Sequence, residues 1–184
     1  MNIFRLDDNP VIAAQLQCDK HVVKMIVESA QMLSTVHRML DGQLETRMSA
    51  TGRKSQYWNH DMDDVLYRAV HHNHPSTVWT RESKANYDWH YAHFIGLCEE
   101  YEYRYGKQHA TYGKLKDVLA IVPTNIPDIP ETRFKLAMGA NPECQFPEDP
   151  VKSYRLFYQT KQDRFKMVWT NRPIPEWFEV KNAA

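Results

Sequence analysis

The architecture of this chain follows from one helix-length stretch, Cys18-Asp19-Lys20-His21-Val22-Val23-Lys24-Met25-Ile26-Val27-Glu28. His21 and Glu28 are seven residues apart, which is two helical turns, so both side chains lie on one stripe of the helix. Apolar side chains fill most of the remaining surface, and we therefore expect this helix to be largely buried. A buried carboxylate must be paired or hydrogen-bonded, and burial raises its pKa toward values useful for proton transfer. The stretch indicates either a catalytic carboxylate or a structural His–Glu or Lys–Glu pair.

Capping signals and hydrophobic periodicity predict a mostly α protein, a single compact helical domain over residues 1–184. Asn9 is a candidate N-cap with Pro10 at the first helical position, and Asp19 is placed to cap the helix that ends near Leu40. Further helices are expected over residues 76–105, 114–121 and 150–164.

Two stretches are expected to be irregular. Residues 42–63 are polar, contain two glycines and show no clear period, which predicts a long loop. Residues 123–150 carry a succession of prolines, which predicts a proline-rich segment that wraps the surface.

Composition indicates a soluble, cytoplasmic protein. No apolar run has the length of a membrane span, the N-terminus lacks a signal-peptide pattern, and three cysteines point to reduced thiols. The balance of 23 basic against 23 acidic residues differs from the basic excess of a dedicated duplex binder. Residues 151–184 nevertheless carry seven basic and three acidic side chains, which allows a local basic face.

Several basic and aromatic residues on the later helices are candidates for contacts with phosphates or bases. The alternative for the aromatic residues is packing in the core. The alternative for Lys161 is that its aliphatic stem covers a packed pair of tyrosines. His74 precedes a helix-starting proline and is placed at a helix mouth, where backbone N–H groups bind anions. The candidates are Trp79, Arg81, Arg104, Lys107, Tyr154, Arg155 and Lys161.

Other chemistries have weak or missing signatures. Cys18 and His21 have the spacing of a metal-ligand pair on a helix. The histidine-rich cluster 71–74, His71-His72-Asn73-His74, supplies no second pair of this kind, and we expect neither a metal nor a cofactor. The chain has no glycine-rich phosphate loop and no Gly-x-Ser-x-Gly elbow. Nucleoside-triphosphate hydrolysis and serine-esterase chemistry are therefore disfavoured.

The order of these motifs resembles the phage-type pyrimidine-dimer DNA glycosylase/AP lyase family, the endonuclease V type. The resemblance depends first on the spacing of Asp19, His21 and Glu28. It also depends on Asn73-His74, which opens a later helix, and on Arg104-Tyr105-Gly106, where that helix ends. An Arg-Pro pair followed by an aromatic, at 172–177, is similar to the ending of that family. The chain is also similar to a set of phage proteins that share the stretch beginning Cys-Asp-Lys-His.

This resemblance implies a mechanism. The amino-terminal amine attacks the sugar C1′, the base leaves as a Schiff base forms, and β-elimination nicks the strand. Glu28 then stabilises the cationic sugar and shuttles protons, while His21 binds the substrate or orients Glu28. Asn2 is too large for efficient removal of Met1, so the amine is that of Met1 or is blocked. Val27 stands where the family has an arginine.

The sequence thus predicts an enzyme that acts on an N-glycosidic bond of damaged or modified DNA, with Glu28, His21 and Met1 catalytic. Asn2, Asp19, Lys24 and His74 complete the expected substrate contacts. One alternative is an enzyme that acts on a small nucleotide or modified base by transfer or hydrolysis. Another is a non-catalytic phage binding or inhibitor protein that reuses the fold.

Overall fold

Six α-helices dominate the computed structural model, which describes residues 1–181. The prediction of a mostly helical protein is confirmed. Within residues 1–181, no helix is long and apolar enough to cross a membrane. The helices are α1 (Pro10–Gln15), α2 (Asp19–Asp41), α3 (Pro75–Glu82), α4 (Lys84–Tyr105), α5 (Ala110–Ala120) and α6 (Pro150–Gln159). Short 3-10 helices span Pro142–Cys144 and Thr160–Asp163.

Helix α2 is the central element because its apolar side chains face three other helices. It packs against α3, α4 and α5, and its inward positions are almost completely buried. Each such side chain contributes roughly 1.5–3 kcal/mol through removal from water. The buried apolar residues are Val22, Met25, Ile26, Ala30, Met32, Leu33 and Val36.

Helix α1 begins as predicted, with the Asn9 side chain accepting hydrogen bonds from Val11 N and Ile12 N. It lies directly on α4, where Gly96 makes the close approach possible. A Cβ at Gly96 would come within 3.2 Å of both Ala14 Cβ and Val11 Cα. A larger residue at position 96 would force α1 and α4 apart by a few tenths of an ångström.

The prediction of a loop over residues 42–63 was wrong. The strands β1 (Gln43–Met48) and β2 (Lys54–Asn59) form an antiparallel hairpin, with Gln43 opposite Asn59 and Met48 opposite Lys54. Every residue of β1 is exposed. A strand without a buried face has no reason to alternate apolar and polar residues, so its sequence lacks the period of two that indicates a strand.

The prediction of one helix over residues 76–105 was also wrong, because Ser83 separates α3 from α4. Its backbone is extended, with φ −153° and ψ 156°, and its side chain caps α4 by accepting from Asn86 N. At the start of α2, the N-cap is Cys18 rather than Asp19. The last predicted helix ends at Gln159 and continues only as 3-10 turns.

The N-terminal segment, residues 2–6, runs without regular structure through the core, and all five residues are buried. Ile3 and Leu6 are completely inaccessible to solvent. This insertion places the amino group of Met1 beside α2.

Candidate functional site

A pocket of about 330 Å³ lies where the N-terminus meets α2 and the segment that follows α6. Basic side chains, aromatic rings and one carboxylate line it. The lining residues are Met1, Asn2, Phe4, Lys20, His21, Lys24, Met25, Glu28, Ala137, Phe157, Lys161, Arg164 and Phe165.

Glu28 is the carboxylate of this pocket, and two amines face it. Its Oε1 is 3.0 Å from Lys24 Nζ, one helical turn away, and its Oε2 is 3.4 Å from the Met1 amino nitrogen. The Glu28 side chain is 13% exposed. Oε2 is buried and accepts no hydrogen bond, so the contact with the Met1 amine is one of charge without hydrogen-bond geometry. This oxygen is free to accept a proton.

His21 lines the same pocket as a neutral imidazole. Its Nδ1 is 2.7 Å from Tyr158 Oη, which also accepts a hydrogen bond from Cys18 N. Burial, together with Lys161 and other nearby lysines, lowers the pKa of His21 to about 3. The tautomer of His21 decides which of the two groups donates in this hydrogen bond. In either tautomer the neutral ring keeps Nε2 for a second hydrogen bond, and His21 carries no charge near neutral pH.

His74 supports the N-terminus from the other side. It is the N-cap of α3, and its Nδ1 accepts a hydrogen bond from Ser76 N at 3.2 Å. Burial lowers its pKa, as do the Met1 amine and His71, while Glu28 and a hydrogen bond with the Met1 backbone oppose the shift. His74 is thus next to the pair formed by Met1 and Glu28.

Four cationic side chains make the pocket suitable for an anion: Lys20, Lys24, Lys161 and Arg164. Lys161 is almost buried, and its Nζ lies 3.4 Å from the centre of the Phe157 ring. Burial lowers the pKa of Lys161 to about 8, and the charges of Arg164 and Lys24 contribute. A bound anion would relieve this repulsion.

Two hydrogen bonds hold the Asn2 side chain, one through each of its polar atoms. Its Nδ2 donates to Ala137 O at 3.1 Å, and its Oδ1 accepts from Tyr154 Oη at 2.7 Å. Tyr154 Oη also accepts from Ala137 N. Tyr154, predicted as a substrate contact, is fully buried and positions the N-terminal segment.

Asp19 and Arg104 belong to a separate ion-pair network. Asp19 accepts hydrogen bonds from Arg104 Nη1 at 2.7 Å and from the backbone and hydroxyl of Thr170. Arg104 also pairs with Glu100, which in turn pairs with Arg172. The Arg104 side chain has no solvent exposure. This network ties α2, α4 and the C-terminal segment together, and none of its members lines the pocket.

The remaining predicted contacts also lie outside the pocket. Trp79 is a core residue whose Nε1 donates to Thr132 O, and Arg81 donates to His72 O. Arg155 donates to Leu6 O. Lys107 is exposed just after the left-handed Gly106, where φ is 64°. These residues do not converge on Glu28.

Sequence reasoning missed Lys20, Arg164 and Phe165. Lys20, Lys24 and Glu28 follow one another at intervals of four, so the helical spacing could have found Lys20. Lys20 Nζ lies 4.4 Å from the centre of the Phe165 ring. Arg164 and Phe165 reach the pocket only through tertiary folding, and no local signal marked them.

Cys18 Sγ is 3.6 Å from His21 Nδ1, but within residues 1–181 no third metal-ligating side chain joins this pair. The cluster 71–74 forms no such group either.

Comparisons with protein-family models, curated proteins and solved structures found no match. The pocket combines an amine, a half-buried carboxylate and several cations, and such a set can bind an anion and pass a proton between the amine and the carboxylate.

Proposed function

We propose that this protein is an N-glycosylase/lyase that acts on damaged or modified DNA, with the Met1 amine as nucleophile and Glu28 as the catalytic carboxylate. The observation that carries the proposal is the 3.4 Å approach of Glu28 Oε2 to the Met1 amino nitrogen inside a cationic pocket.

The chemistry needs a deprotonated amine next to a proton acceptor. Glu28 Oε2 takes a proton from the Met1 ammonium group, and the amine then attacks C1′ of the sugar. The bond between C1′ and the base breaks, and the base leaves with its electron pair and is protonated. Glu28 then carries a proton from the new C1′–nitrogen bond to O4′, the C1′–O4′ bond breaks, and a protonated Schiff base between C1′ and the Met1 nitrogen remains. Removal of a C2′ proton by Glu28 breaks the C3′–O bond, and the 3′ phosphate leaves with that electron pair.

The pocket dimensions and charges fit one nucleotide unit rather than a duplex. Its volume of about 330 Å³ is at the lower end of ligand pockets, which matches a single base or sugar turned out of the stack. Lys20, Lys24 and Arg164 supply charges for the flanking phosphates. His21 Nε2, the ring nitrogen that is not bonded to Tyr158, is available for a hydrogen bond with a base or sugar.

Borohydride trapping tests the proposal directly. The protein is incubated with duplexes that carry an abasic site, a pyrimidine dimer or a modified base, and sodium borohydride reduces any Schiff base to a stable amine. We expect a covalent adduct with at least one substrate, and peptide mapping should place it on the N-terminal peptide. The absence of an adduct with all substrates would remove the lyase mechanism.

A second amine must be distinguished from the first. Lys161→Arg keeps the positive charge but removes the lysine amine, whose pKa is lowered in this pocket. The adduct should persist in this variant. An adduct that disappears in Lys161→Arg and maps to the peptide containing residue 161 would reassign the nucleophile.

A free nucleotide or modified base is a second candidate substrate, because the protein has zero net charge and the pocket is small. Duplex binding measured at increasing salt separates the two. A steep fall in affinity indicates contacts with several phosphates of DNA. Turnover of a nucleotide without any duplex affinity at low salt would favour the small substrate.

A further inference from the structure

A second cluster of ionisable side chains lies at the opposite end of α2 from the pocket entrance residues Lys20 and His21. His37 and Asp41 are one helical turn apart near the end of α2, and His60 follows β2. One ligand atom from each of these three residues lies within 4.8 Å of the other two. They line a separate pocket of about 460 Å³.

We infer that His37, Asp41 and His60 form a binding site for a divalent transition-metal ion of the zinc class. Two imidazoles and one carboxylate are a frequent ligand set for such ions. Three protein ligands leave at least one coordination position for water or an anion, and here it opens into the pocket beside Thr124 and Asn125. The inference does not depend on the proposed function of the Glu28 pocket.

The tautomer of His37 is set by its neighbours in the way that metal ligands require. Its Nε2 is 2.7 Å from Tyr87 Oη, and Tyr87 Oη donates to Leu119 O at 2.8 Å. Because a carbonyl only accepts, the Tyr87 proton is committed to Leu119. His37 Nε2 must then donate to Tyr87, and Nδ1 keeps a lone pair for the metal.

Asp41 is oriented by hydrogen bonds from the loop that follows α5. Thr124 N donates to Oδ2 at 2.7 Å, and Asn125 N and Nδ2 donate to Oδ1 at 3.0 and 2.9 Å. Asp41 is also the last residue of α2, where the negative end of the helix dipole favours a cation. The carboxylate is therefore held in place and retains lone pairs for coordination.

His60 supplies the third ligand after a change of tautomer, because in the structure its Nδ1 is an acceptor and its proton is on Nε2. Its Nε2 is buried and has no hydrogen-bond partner, although its Nδ1 accepts from Met62 N at 3.0 Å. Coordination through Nε2 places the ring proton on Nδ1, so the Met62 N–H must turn away from the ring. We therefore expect metal binding to rearrange the turn at 61–64 and to connect the end of the hairpin to the end of α2.

The test measures Zn²⁺ and Co²⁺ binding to the full chain after chelator treatment. Titration calorimetry should show one strong site per chain, and bound Co²⁺ should give visible absorption bands of a low-coordinate nitrogen–oxygen site. His60→Gln should weaken binding by roughly 100-fold or more, and Tyr87→Phe by roughly 10–100-fold. His71→Asn is the matched control, because it removes an exposed histidine at a positive φ that asparagine tolerates.

A second measurement keeps the inference testable if a variant folds poorly. The backbone amide of Met62 should shift in the NMR spectrum of the wild-type protein when Zn²⁺ is added, while Glu28→Gln should bind Zn²⁺ as the wild type does. Absence of binding at high micromolar Zn²⁺ would overturn the inference. Equal affinity in the wild type and His60→Gln would also overturn it.

Discussion

Glu28 is a half-buried carboxylate and Glu100 a buried one, and the structure uses their oxygens differently. The Glu100 side chain is 2% exposed, and both of its oxygens accept hydrogen bonds from Arg104 or Arg172. Glu28 pairs with Lys24 through Oε1 and leaves Oε2 beside the Met1 amine without a hydrogen bond. A carboxylate saturated by arginines can only hold elements together, whereas one with a free oxygen beside an amine can exchange a proton.

The largest expected effect is on catalysis, through Glu28→Gln. We expect activity on the trapped substrate to fall by about 10²–10⁴-fold, because the amide cannot take a proton. The free energy of unfolding should change by less than about 1 kcal/mol, since Gln keeps the shape and a polar contact. Glu102→Gln, an exposed change on α4, is the control and should leave turnover unchanged. Full activity in Glu28→Gln, or loss of folding, would show that Glu28 is a structural residue.

Arg104→Met tests the carboxylate that is paired with arginines, Glu100. The variant leaves Asp19 and Glu100 partly unpaired in the core, so the free energy of unfolding should fall by roughly 3–5 kcal/mol. Urea denaturation measures this loss. Lys107→Met, at an exposed site one turn away, should stay within about 0.5 kcal/mol of the wild type. A comparably small change in Arg104→Met would mean that the network contributes little to stability.

Tyr154→Phe is expected to have a smaller effect on both stability and activity. It removes the hydrogen bond to Asn2 Oδ1 and one that it accepts from Ala137 N, which should cost about 1–3 kcal/mol. Because Asn2 then loses an anchor, borohydride trapping should slow even under conditions where the variant is fully folded. Tyr103→Phe provides an exposed tyrosine for comparison. If folded Tyr154→Phe were trapped at the wild-type rate, the anchoring of Asn2 by Tyr154 would have no role in the reaction.

Lys161 should also make the stability of the protein depend on pH. Its pKa is about 8 in the folded protein, below the ordinary lysine value of about 10.4. Between these values the unfolded chain binds more protons than the folded one, so Lys161 makes stability rise with pH from about 8 to about 10.4. The difference between the stability curves of the wild type and Lys161→Met isolates this slope. Parallel curves across that range would contradict the depressed pKa.

The part of the fold that the sequence predicts well is the part that depends on local patterns. Asn9 with Pro10 starts α1, and the apolar spacing after Cys18 produces α2. The hairpin at 43–59 escaped prediction because β1 buries neither face. Ser83 escaped because serine is common both inside helices and at their caps, and only the packing of α3 against α4 decides between these roles.

The site residues that the sequence could place are likewise those that one helix carries, and those that it could not place come together from distant segments. Glu28, His21 and Lys24 could be placed together because one helix carries them. The spacing that marked Asp19 was equally regular, yet its partners Arg104 and Thr170 come from distant parts of the chain and hold it in a different network. Long-range pairing of this kind leaves no periodic trace in the sequence.

The buried N-terminal segment also sets the order in which the molecule is completed. Asn2 is bonded to Ala137 and Tyr154, which are 135 and 152 positions further along the chain. During synthesis the first residues emerge long before these partners exist, and closure over such a separation is slow. The two hydrogen bonds that hold Asn2, and with it the N-terminus beside Glu28, therefore cannot form until α6 has been made.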